Sequence, residues 1–327
     1  GEGTKGGFSY KLENEDYTIP EDFYSTDAFT DYAIKFIDER DHEKPFFLYL
    51  AYNAPHYPLQ APKEDVMKYR GKYSAGWKAL RATRYARMKQ LGIIPDDMAL
   101  SDPEPNVRSW DDLSDEQKDD MDLRMATYAA MIDHVDGQVG RLLEKLDEEK
   151  LKEDTLVLFL SDNGACPFDR TRKPTLENHY MPWDGRSYYC YPWEWANACN
   201  TPLRLYKQNQ NEGGVATPLI AHWPNGITVP GTSNRQRGHL VDLHATFREL
   251  AGVEYPAEFN GNKLGPARGI SLVPAFTGKP RDEHEYIYQN FAEKKNALIK
   301  GRWKLVDYKY LYDLENDRIE SNDLSQS

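Results

Sequence analysis

The most constraining feature of the sequence is an apolar run between Thr155 and Ser161 that is followed at once by Asp162-Asn163-Gly164. Five consecutive apolar residues predict a strand that is buried on both faces, as in the middle of a parallel sheet. Such a strand carries the two polar side chains to the carboxyl edge of the sheet, where open α/β folds bind ligands. A carboxylate and a carboxamide oxygen suit a divalent cation such as calcium, but the same residues are common in plain turns. The segment alone leaves both interpretations open.

Further apolar patterns alternate along the chain between strand type and helix type. They predict strands at 46–52 and 218–223, and helices at 25–39, from Ser114 onwards and at 239–251. Because helices and buried strands alternate, we expect an α/β fold with a parallel sheet. After about Asp282 the pattern of apolar residues becomes that of short antiparallel strands. We therefore expect an α/β domain at 1–282 and a small C-terminal α+β subdomain at 283–327.

The charge and the hydropathy of the chain limit the kinds of molecule that we expect it to bind. The chain has 41 Lys and Arg against 53 Asp and Glu, which gives a net charge of −12. A net acidic chain is a poor ligand for nucleic acid, so we expect no nucleic-acid partner. No apolar run approaches the roughly 18 residues that span a bilayer, so we expect no membrane partner. Three cysteines make no disulfide framework, and both a Cys190–Cys199 bridge and free thiols remain open.

Two further residues could carry chemistry. His56 lies in Pro55-His56-Tyr57-Pro58, where prolines stiffen the backbone and would hold an imidazole in place for proton donation. Lys207 could bind an anionic oxygen as a compact charge. Taken singly, such a histidine is more often a structural hydrogen-bonding residue, and such a lysine is more often a solvated surface charge. An aromatic stretch at 180–195 would form either a pocket wall or the filling of an apolar gap.

Three segments follow one another in a specific order. They are Ala54-Pro55-His56-Tyr57-Pro58, then Ser161-Asp162-Asn163-Gly164, then Arg204 and Lys207 followed by Glu212-Gly213-Gly214. In this order and spacing the chain resembles the type I sulfatases of the alkaline phosphatase superfamily. The bacterial arylsulfatases are the most similar, since they share a Lys-Tyr-Arg-Gly-Lys-Tyr segment, here Lys68 to Tyr73. The resemblance extends from about residue 24 to residue 324.

The resemblance implies an alkaline-phosphatase-like mixed sheet flanked by helices, with a small C-terminal antiparallel sheet subdomain. It implies that Asp162 and Asn163 bind calcium, that His56 assists the leaving group and that Lys207 contacts the sulfate. The substrate would be a small-molecule or carbohydrate sulfate ester, and the location periplasmic or secreted. Phosphodiester and phosphonate hydrolases of the superfamily commonly have Asp-His-Gly at this strand end. The carboxamide of Asn163 instead favours a hard ion such as calcium.

The sequence departs from the family at the nucleophile. Sulfatases use a formylglycine made from the Cys or Ser of a Cys/Ser-x-Pro-Ser-Arg motif upstream of the His-x-Pro segment, and nothing upstream of His56 matches. The segments at Cys166 and Cys190 lack the motif, and the paired N-terminal aspartates of the calcium site are missing. We therefore expect a fragment, about the C-terminal two-thirds of a sulfuric ester hydrolase, that is inactive alone. The alternatives are a non-catalytic fragment or pseudoenzyme, and a phosphodiester or phosphonate monoester hydrolase.

Overall fold

The structure, a computed structural model, describes residues 10–293 and 295–326. The helices are α1 (Ser25–Asp38), α2 (Lys63–Tyr69), α3 (Gly76–Gln90), α4 (Asp115–Glu148), α5 (Lys173–Glu177), α6 (Trp193–Cys199), α7 (Glu212–Val215), α8 (Val241–Ala251) and α9 (Val273–Phe276). The strands are β1 (Tyr10–Leu12), β2 (Glu15–Tyr17), β3 (Val157–Leu160), β4 (Leu219–His222), β5 (Glu258–Phe259), β6 (Asn262–Lys263), β7 (Ile287–Ala292), β8 (Lys295–Lys300), β9 (Trp303–Val306) and β10 (Tyr310–Asp313). This mixture of helices and small sheets confirms the predicted α/β class.

The elements belong to two compact units. The first contains the chain up to Arg84, Pro103–Leu151 and Ala165–Cys199. The second contains Tyr85–Asp102, Lys152–Gly164 and the chain from Asn200 onwards. The predicted boundary between residues 282 and 283 stays a prediction.

The long helix α4 organises the first unit. It begins as predicted at a capping box, in which Gln117 N donates to Ser114 Oγ at 3.2 Å and Ser114 N donates to Gln117 Oε1 at 2.9 Å. Its buried face includes Met121, Met125 and Met131, and it packs against α1 and α2. The predicted helices at 25–39 and from Ser114 are therefore confirmed.

Part of the aromatic stretch at 180–195 fills the core of the first unit. Trp195 is fully buried, and its ring centroid lies 5.5 Å from that of Trp77 and 5.9 Å from that of Trp110. All three rings meet edge to face, the preferred arrangement for aromatic pairs. The gap-filling interpretation thus holds for this end of the stretch. The pocket-wall interpretation remains only for its more exposed members.

The predicted strand at 46–52 is wrong. The segment lies in the first unit and joins no sheet in the described part of the chain. Phe47 and Tyr49 are 71% and 81% exposed. An apolar run forms a buried strand only where a neighbouring strand accepts its backbone hydrogen bonds, and none of the described strands does so here.

The apolar run before Asp162 does form a strand, but in a different setting from the prediction. β3 pairs with β4 in an antiparallel ladder that runs from Val157 opposite His222 to Leu160 opposite Leu219. The parallel pairing and the burial on both faces are therefore wrong. Phe159 is 47% exposed, because the ladder contains only these two strands among the residues described and leaves side chains accessible.

The rest of the second unit follows the predicted pattern more closely. The helix expected at 239–251 is α8, and the strand expected at 218–223 is β4, although β4 is largely exposed. The C-terminal strands form an antiparallel sheet, as predicted, and their order in the sheet is β10-β9-β8-β7. Ile287, Ala297, Ile299, Val306, Tyr312 and Leu314 form its own small core.

Two remaining expectations concern the membrane and the cysteines. Within residues 10–293 and 295–326, no helix is both long and apolar enough to cross a bilayer. Cys166, Cys190 and Cys199 are free thiols, so the Cys190–Cys199 bridge does not form.

Candidate active site

The Asp162-Asn163-Gly164 turn begins just after β3 ends at Leu160. Ser161 Oγ donates a hydrogen bond to Asn163 O at 3.0 Å, and Asn163 Nδ2 donates one to Gly164 O at 3.0 Å. These bonds hold the turn in one conformation. Asp162 is exposed, and no hydrogen bond or ion pair to its carboxylate is found among the described residues. The turn therefore presents an uncommitted carboxylate.

The end of this turn contacts the Gly213-Gly214 segment through the backbone. Gly164 N donates to Gly214 O at 3.0 Å. A Cβ built on Gly164 would overlap with Gly213 O, and one built on Gly213 would overlap with Arg204 O. Both positions therefore need glycine because the backbones approach too closely for any side chain. Asn200 Nδ2 strengthens the contact by donating to Gly213 O at 2.7 Å.

Lys207 lies on the loop that leads into this contact. The loop is held by Asn200 Nδ2, which donates to Leu205 O at 2.8 Å. Leu205 and Gln208, on either side of Lys207, have φ values of 61° and 71°, a left-handed conformation that costs energy for residues other than glycine. Lys207 is half-buried, and its ammonium makes no ion pair within the part of the chain that the structure describes. A constrained loop thus carries an unpaired cation.

The Lys207 loop is also anchored at its far end. Glu212 N, at the start of α7, donates to Glu320 Oε2 at 2.7 Å. Arg204 Nη1 donates to Glu320 O at 3.0 Å. Both ends of the loop are therefore hydrogen-bonded to Glu320. The loop and Glu320 both lie in the second unit.

His56 is placed by its own loop in the first unit. His56 N donates to Asn53 O at 2.9 Å, and Nδ1 lies 2.8 Å from Tyr57 O. Since a carbonyl only accepts hydrogen bonds, Nδ1 carries the hydrogen. The exposed imidazole therefore offers Nε2 to an incoming group, either as a base or, when protonated, as a proton donor.

Two side-chain contacts near these residues were not predicted from the sequence. Arg170 Nη1 donates to Tyr57 Oη at 2.9 Å, next to His56. Lys304 Nζ lies 2.8 Å from Glu212 Oε1. Each side chain is 113 or 92 positions away in sequence from the residue that it contacts, so no local pattern indicates the contact. These contacts become visible only in the folded structure.

The donor types at the strand end fit a calcium ion, although the number of ligands falls short. Asp162 and Asn163 offer carboxylate and carboxamide oxygens, and calcium takes roughly six to eight oxygen ligands. Among the described residues, no group of three or more His, Cys, Asp or Glu side chains is arranged to hold a metal. The two residues alone would therefore supply only some of the ligands that a calcium ion needs.

Of the predicted site residues, Asp162, Asn163 and Lys207 lie in the second unit on two segments that are in backbone contact. His56 lies in the first unit. The assignments of these four residues to calcium, sulfate and leaving group stay predictions.

The family described as Sulfatase matches residues 4–253. An uncharacterized sulfatase of Schizosaccharomyces pombe is 32% identical over 98% of this chain and 61% of its own length. An arylsulfatase of Klebsiella aerogenes is 34% identical over 83% of this chain and 60% of its own length. The chain thus spans about 60% of the length of these relatives.

Solved structures agree with this result. The crystal structure of Ps i-CgsB has a TM-score of 0.62 and 26% identity, and the match covers 98% of this chain and 54% of that one. The structure of Ps i-CgsB in complex with k-i-k-neocarrahexaose has a TM-score of 0.61 and 27% identity over the same shares. With a family match over most of its residues, the chain belongs to the sulfatase family.

Proposed function

We propose that the protein to which this chain belongs hydrolyses sulfate monoesters. The observation that carries the proposal is the backbone contact between Gly164 and Gly214. It fixes two neighbouring segments, one with the uncommitted carboxylate of Asp162 and the other with the unpaired ammonium of Lys207. Family membership and the 34% identity to an arylsulfatase support the same reaction.

Lys207 and His56 have complementary roles in this proposal. A sulfate monoester carries negative charge on its free oxygens, and a fixed lysine ammonium lowers the energy of that charge as the S–O bond breaks. His56 in its protonated form donates the Nε2 proton to the ester oxygen. The alcohol or phenol then leaves as a neutral molecule, and the imidazole is left neutral.

Asp162 and Asn163 are the proposed calcium ligands. Their hard oxygen donors suit this ion better than zinc. A bound calcium ion would supply positive charge that polarises the sulfate group. The further ligands that calcium needs are proposed to come from sequence outside the 327 residues.

The nucleophile is also proposed to lie outside these residues. The chain has no Cys/Ser-x-Pro-Ser-Arg motif, and it spans about 60% of its curated relatives. A formylglycine would supply the oxygen that attacks sulfur, and the isolated chain would then be inactive. Reading the gene upstream of Gly1 tests this. An in-frame start codon without the motif would favour a non-catalytic protein instead.

The proposed substrate is a small-molecule or carbohydrate sulfate ester. The carbohydrate option is supported by the similarity to Ps i-CgsB, which has been solved with k-i-k-neocarrahexaose. Phosphodiester or phosphonate hydrolysis on the same fold is the weaker alternative, since position 163 is a carboxamide and not an imidazole.

Substitutions in the full-length protein test the catalytic roles. With 4-nitrophenyl sulfate as substrate, K207A and H56A should each lower kcat at least about 100-fold, the usual effect of losing a charge-stabilising or proton-donating group. The matched controls are K263A and H42A, which remove exposed residues. Rates of K207A and H56A equal to the controls would contradict the proposal. Faster turnover of a phosphodiester than of the sulfate would favour the alternative.

Removal of calcium is a separate test. EGTA should abolish activity, and calcium should restore it where zinc does not. An enzyme that keeps its full rate in EGTA, or that only zinc restores, would contradict the assignment of Asp162 and Asn163.

A further inference from the structure

Arg170 lies beside the proposed proton donor within the first unit. Its Nη1 donates a hydrogen bond to Tyr57 Oη at 2.9 Å, and its guanidinium lies 5.2 Å from the ring centroid of Phe168. The ring of Tyr57 in turn packs against that of His56, with 4.3 Å between the centroids. A cation is thus held one side chain away from His56.

This cation has no carboxylate partner among the described residues. The adjacent Asp169 carboxylate is already taken, because Arg124 Nη1 lies 2.8 Å from its Oδ2 and Thr171 Oγ1 donates to its Oδ1 at 2.6 Å. Arg170 itself is exposed. In a chain with a net charge of −12, an exposed arginine that is fixed by aromatic rings and not by an acid is available to an anion from solution.

A second tyrosine ring lies next to the ring of Tyr57. The ring centroids of Tyr57 and Tyr188 are 6.0 Å apart, and the guanidinium of Arg172 lies 3.9 Å above the ring of Tyr188. Tyr57 and Tyr188 are half-buried, so part of each ring remains accessible. Tyrosine rings of this kind pack against sugar rings without a large entropy cost.

We propose that Arg170 is a specificity-determining residue that binds a second anionic group of a saccharide sulfate ester whose scissile ester lies at His56. This deepens the proposed function and rests on it. A guanidinium has five N–H donors, and one Nη1 donor is used by Tyr57, so a planar pair remains for the two oxygens of a sulfate or carboxylate. A small aryl sulfate has no second anion to place there.

The test uses the full-length wild type and two matched variants. R170Q removes the charge but retains a hydrogen-bonding group. R186Q is the control, because Arg186 also lies over a tyrosine ring, that of Tyr180, but is paired with Asp184 at 2.6 Å. Three saccharides serve as competitive inhibitors of 4-nitrophenyl sulfate hydrolysis. They are a disaccharide with one sulfate, the same disaccharide with two sulfates, and a disaccharide with one sulfate in which the other sugar is a uronate.

We expect R170Q to raise the inhibition constant of at least one dianionic saccharide about tenfold, as is typical for losing one charged hydrogen-bonding group at an accessible site. The factor by which R170Q raises the inhibition constant of the monosulfate should be at least about fivefold smaller. R186Q should leave the inhibition constants of all three saccharides unchanged. If R170Q weakens only the inhibition by the disulfate, the second anion is a sulfate. If R170Q weakens only the inhibition by the uronate, the second anion is a carboxylate.

Equal weakening of all three saccharides by R170Q, or no weakening, would overturn the proposal for Arg170. A wild type that does not hydrolyse 4-nitrophenyl sulfate would overturn the proposed function instead. Calorimetric titration of the same three saccharides then tests Arg170 by binding alone, and equal affinities of wild type and R170Q for both dianionic saccharides would overturn it.

Discussion

Lys304 Nζ lies 2.8 Å from Glu212 Oε1, and the side chain of Lys304 is completely buried. The same ammonium lies 3.0 Å from Glu320 Oε1, so two buried carboxylates share one cation. Burial alone would raise the pKa of Glu212, but the attraction and hydrogen bond of Lys304, helped by Arg318, outweigh burial and lower it. Burial dominates at Glu320 and raises its pKa despite the nearby lysine. Through this triad, strand β9 anchors the start of α7 and with it the Lys207 loop.

Removing the shared cation should destabilise the protein strongly. K304M keeps an unbranched side chain of similar size but leaves Glu320 as a buried carboxylate without a counter-charge, and Glu212 with only the half-exposed Arg318 at 3.8 Å. We expect a loss of about 3–5 kcal/mol in the free energy of unfolding, as for other buried pairs that lose one partner. Denaturant unfolding of K304M and wild type measures the difference.

The control for K304M is R302M, in the turn just before β9. Arg302 pairs with Asp313 and Glu315 but is 43% exposed, so its loss should cost far less. Hydrogen exchange adds a local readout. K304M should increase exchange of the Glu212 and Gly214 amides more than that of α4. Equal exchange in both regions, or equal stability losses for the two variants, would contradict the anchoring role.

A methyl group at Gly164 should disrupt the candidate site. Because a Cβ there would overlap with Gly213 O, G164A must push the two segments apart. We expect G164A to lower the stability by roughly 1–3 kcal/mol, the usual cost of overpacking, and to impair sulfate ester turnover. The matched variant is G137A, on the exposed side of α4, where a Cβ would meet nothing within 4 Å. That change should stabilise the protein by roughly 0.5–1 kcal/mol.

Thermal and chemical unfolding of the two alanine variants measure these opposite shifts. A G164A protein that is as stable and as active as wild type would show that the contact with Gly213 tolerates a side chain. The sign of the G137A effect checks that the assay resolves changes of this size.

The helices were predictable because their signals are local. The capping box at Ser114 and the spacing of apolar residues in α8 require only neighbours in sequence. The strand patterns at 46–52 and before Asp162 identified apolar runs correctly but assigned them the wrong surroundings. Burial and parallel pairing depend on which other strands are adjacent, and that information is not in the run itself.

The candidate site was predictable in part for a similar reason. Asp162, Asn163 and Lys207 belong to segments whose order and spacing resemble a known family. Arg170 and Lys304 act through contacts to residues 113 and 92 positions away in sequence, so no spacing rule could reveal them. The close approach of Gly164 to Gly213 likewise follows only from the fold.

Cys190 should be unreactive in the folded protein. Its side chain is buried, and burial raises the pKa of the thiol to about 11. The pKa of Cys199 is also raised to about 11 by burial. Because the thiolate is the reactive form, iodoacetamide near neutral pH should label neither residue until the protein is unfolded. Peptide mass spectrometry after native and denaturing alkylation measures this, and native labelling of Cys190 would contradict its burial.

The imidazole of His134 joins three helices of the first unit. Its Nδ1 lies 2.8 Å from Asp65 Oδ2 in α2, and its Nε2 lies 2.7 Å from Asp27 Oδ1 in α1. Both carboxylates accept hydrogen bonds, so both ring nitrogens carry a hydrogen and the ring is positively charged. Lys68 Nζ also lies 2.7 Å from Asp65 Oδ1, and Gln138 Nε2 donates to Asp27 Oδ1 at 2.7 Å. The network is therefore complete only while His134 is protonated.

This network should make stability depend on pH. Burial lowers the pKa of His134, but the bonds to Asp27 and Asp65 outweigh burial and raise it above the ordinary value of about 6.5. A folded pKa above the unfolded one means that the stabilisation is complete below about pH 6.5 and is lost as the pH rises through the folded value. Urea unfolding from about pH 6 to about pH 9 should show this loss in wild type and in the control H42Q, which alters an exposed histidine. H134Q should be less stable at the lower pH and nearly flat across the range. A wild-type profile that parallels H134Q would show that the ring is neutral between its two carboxylates.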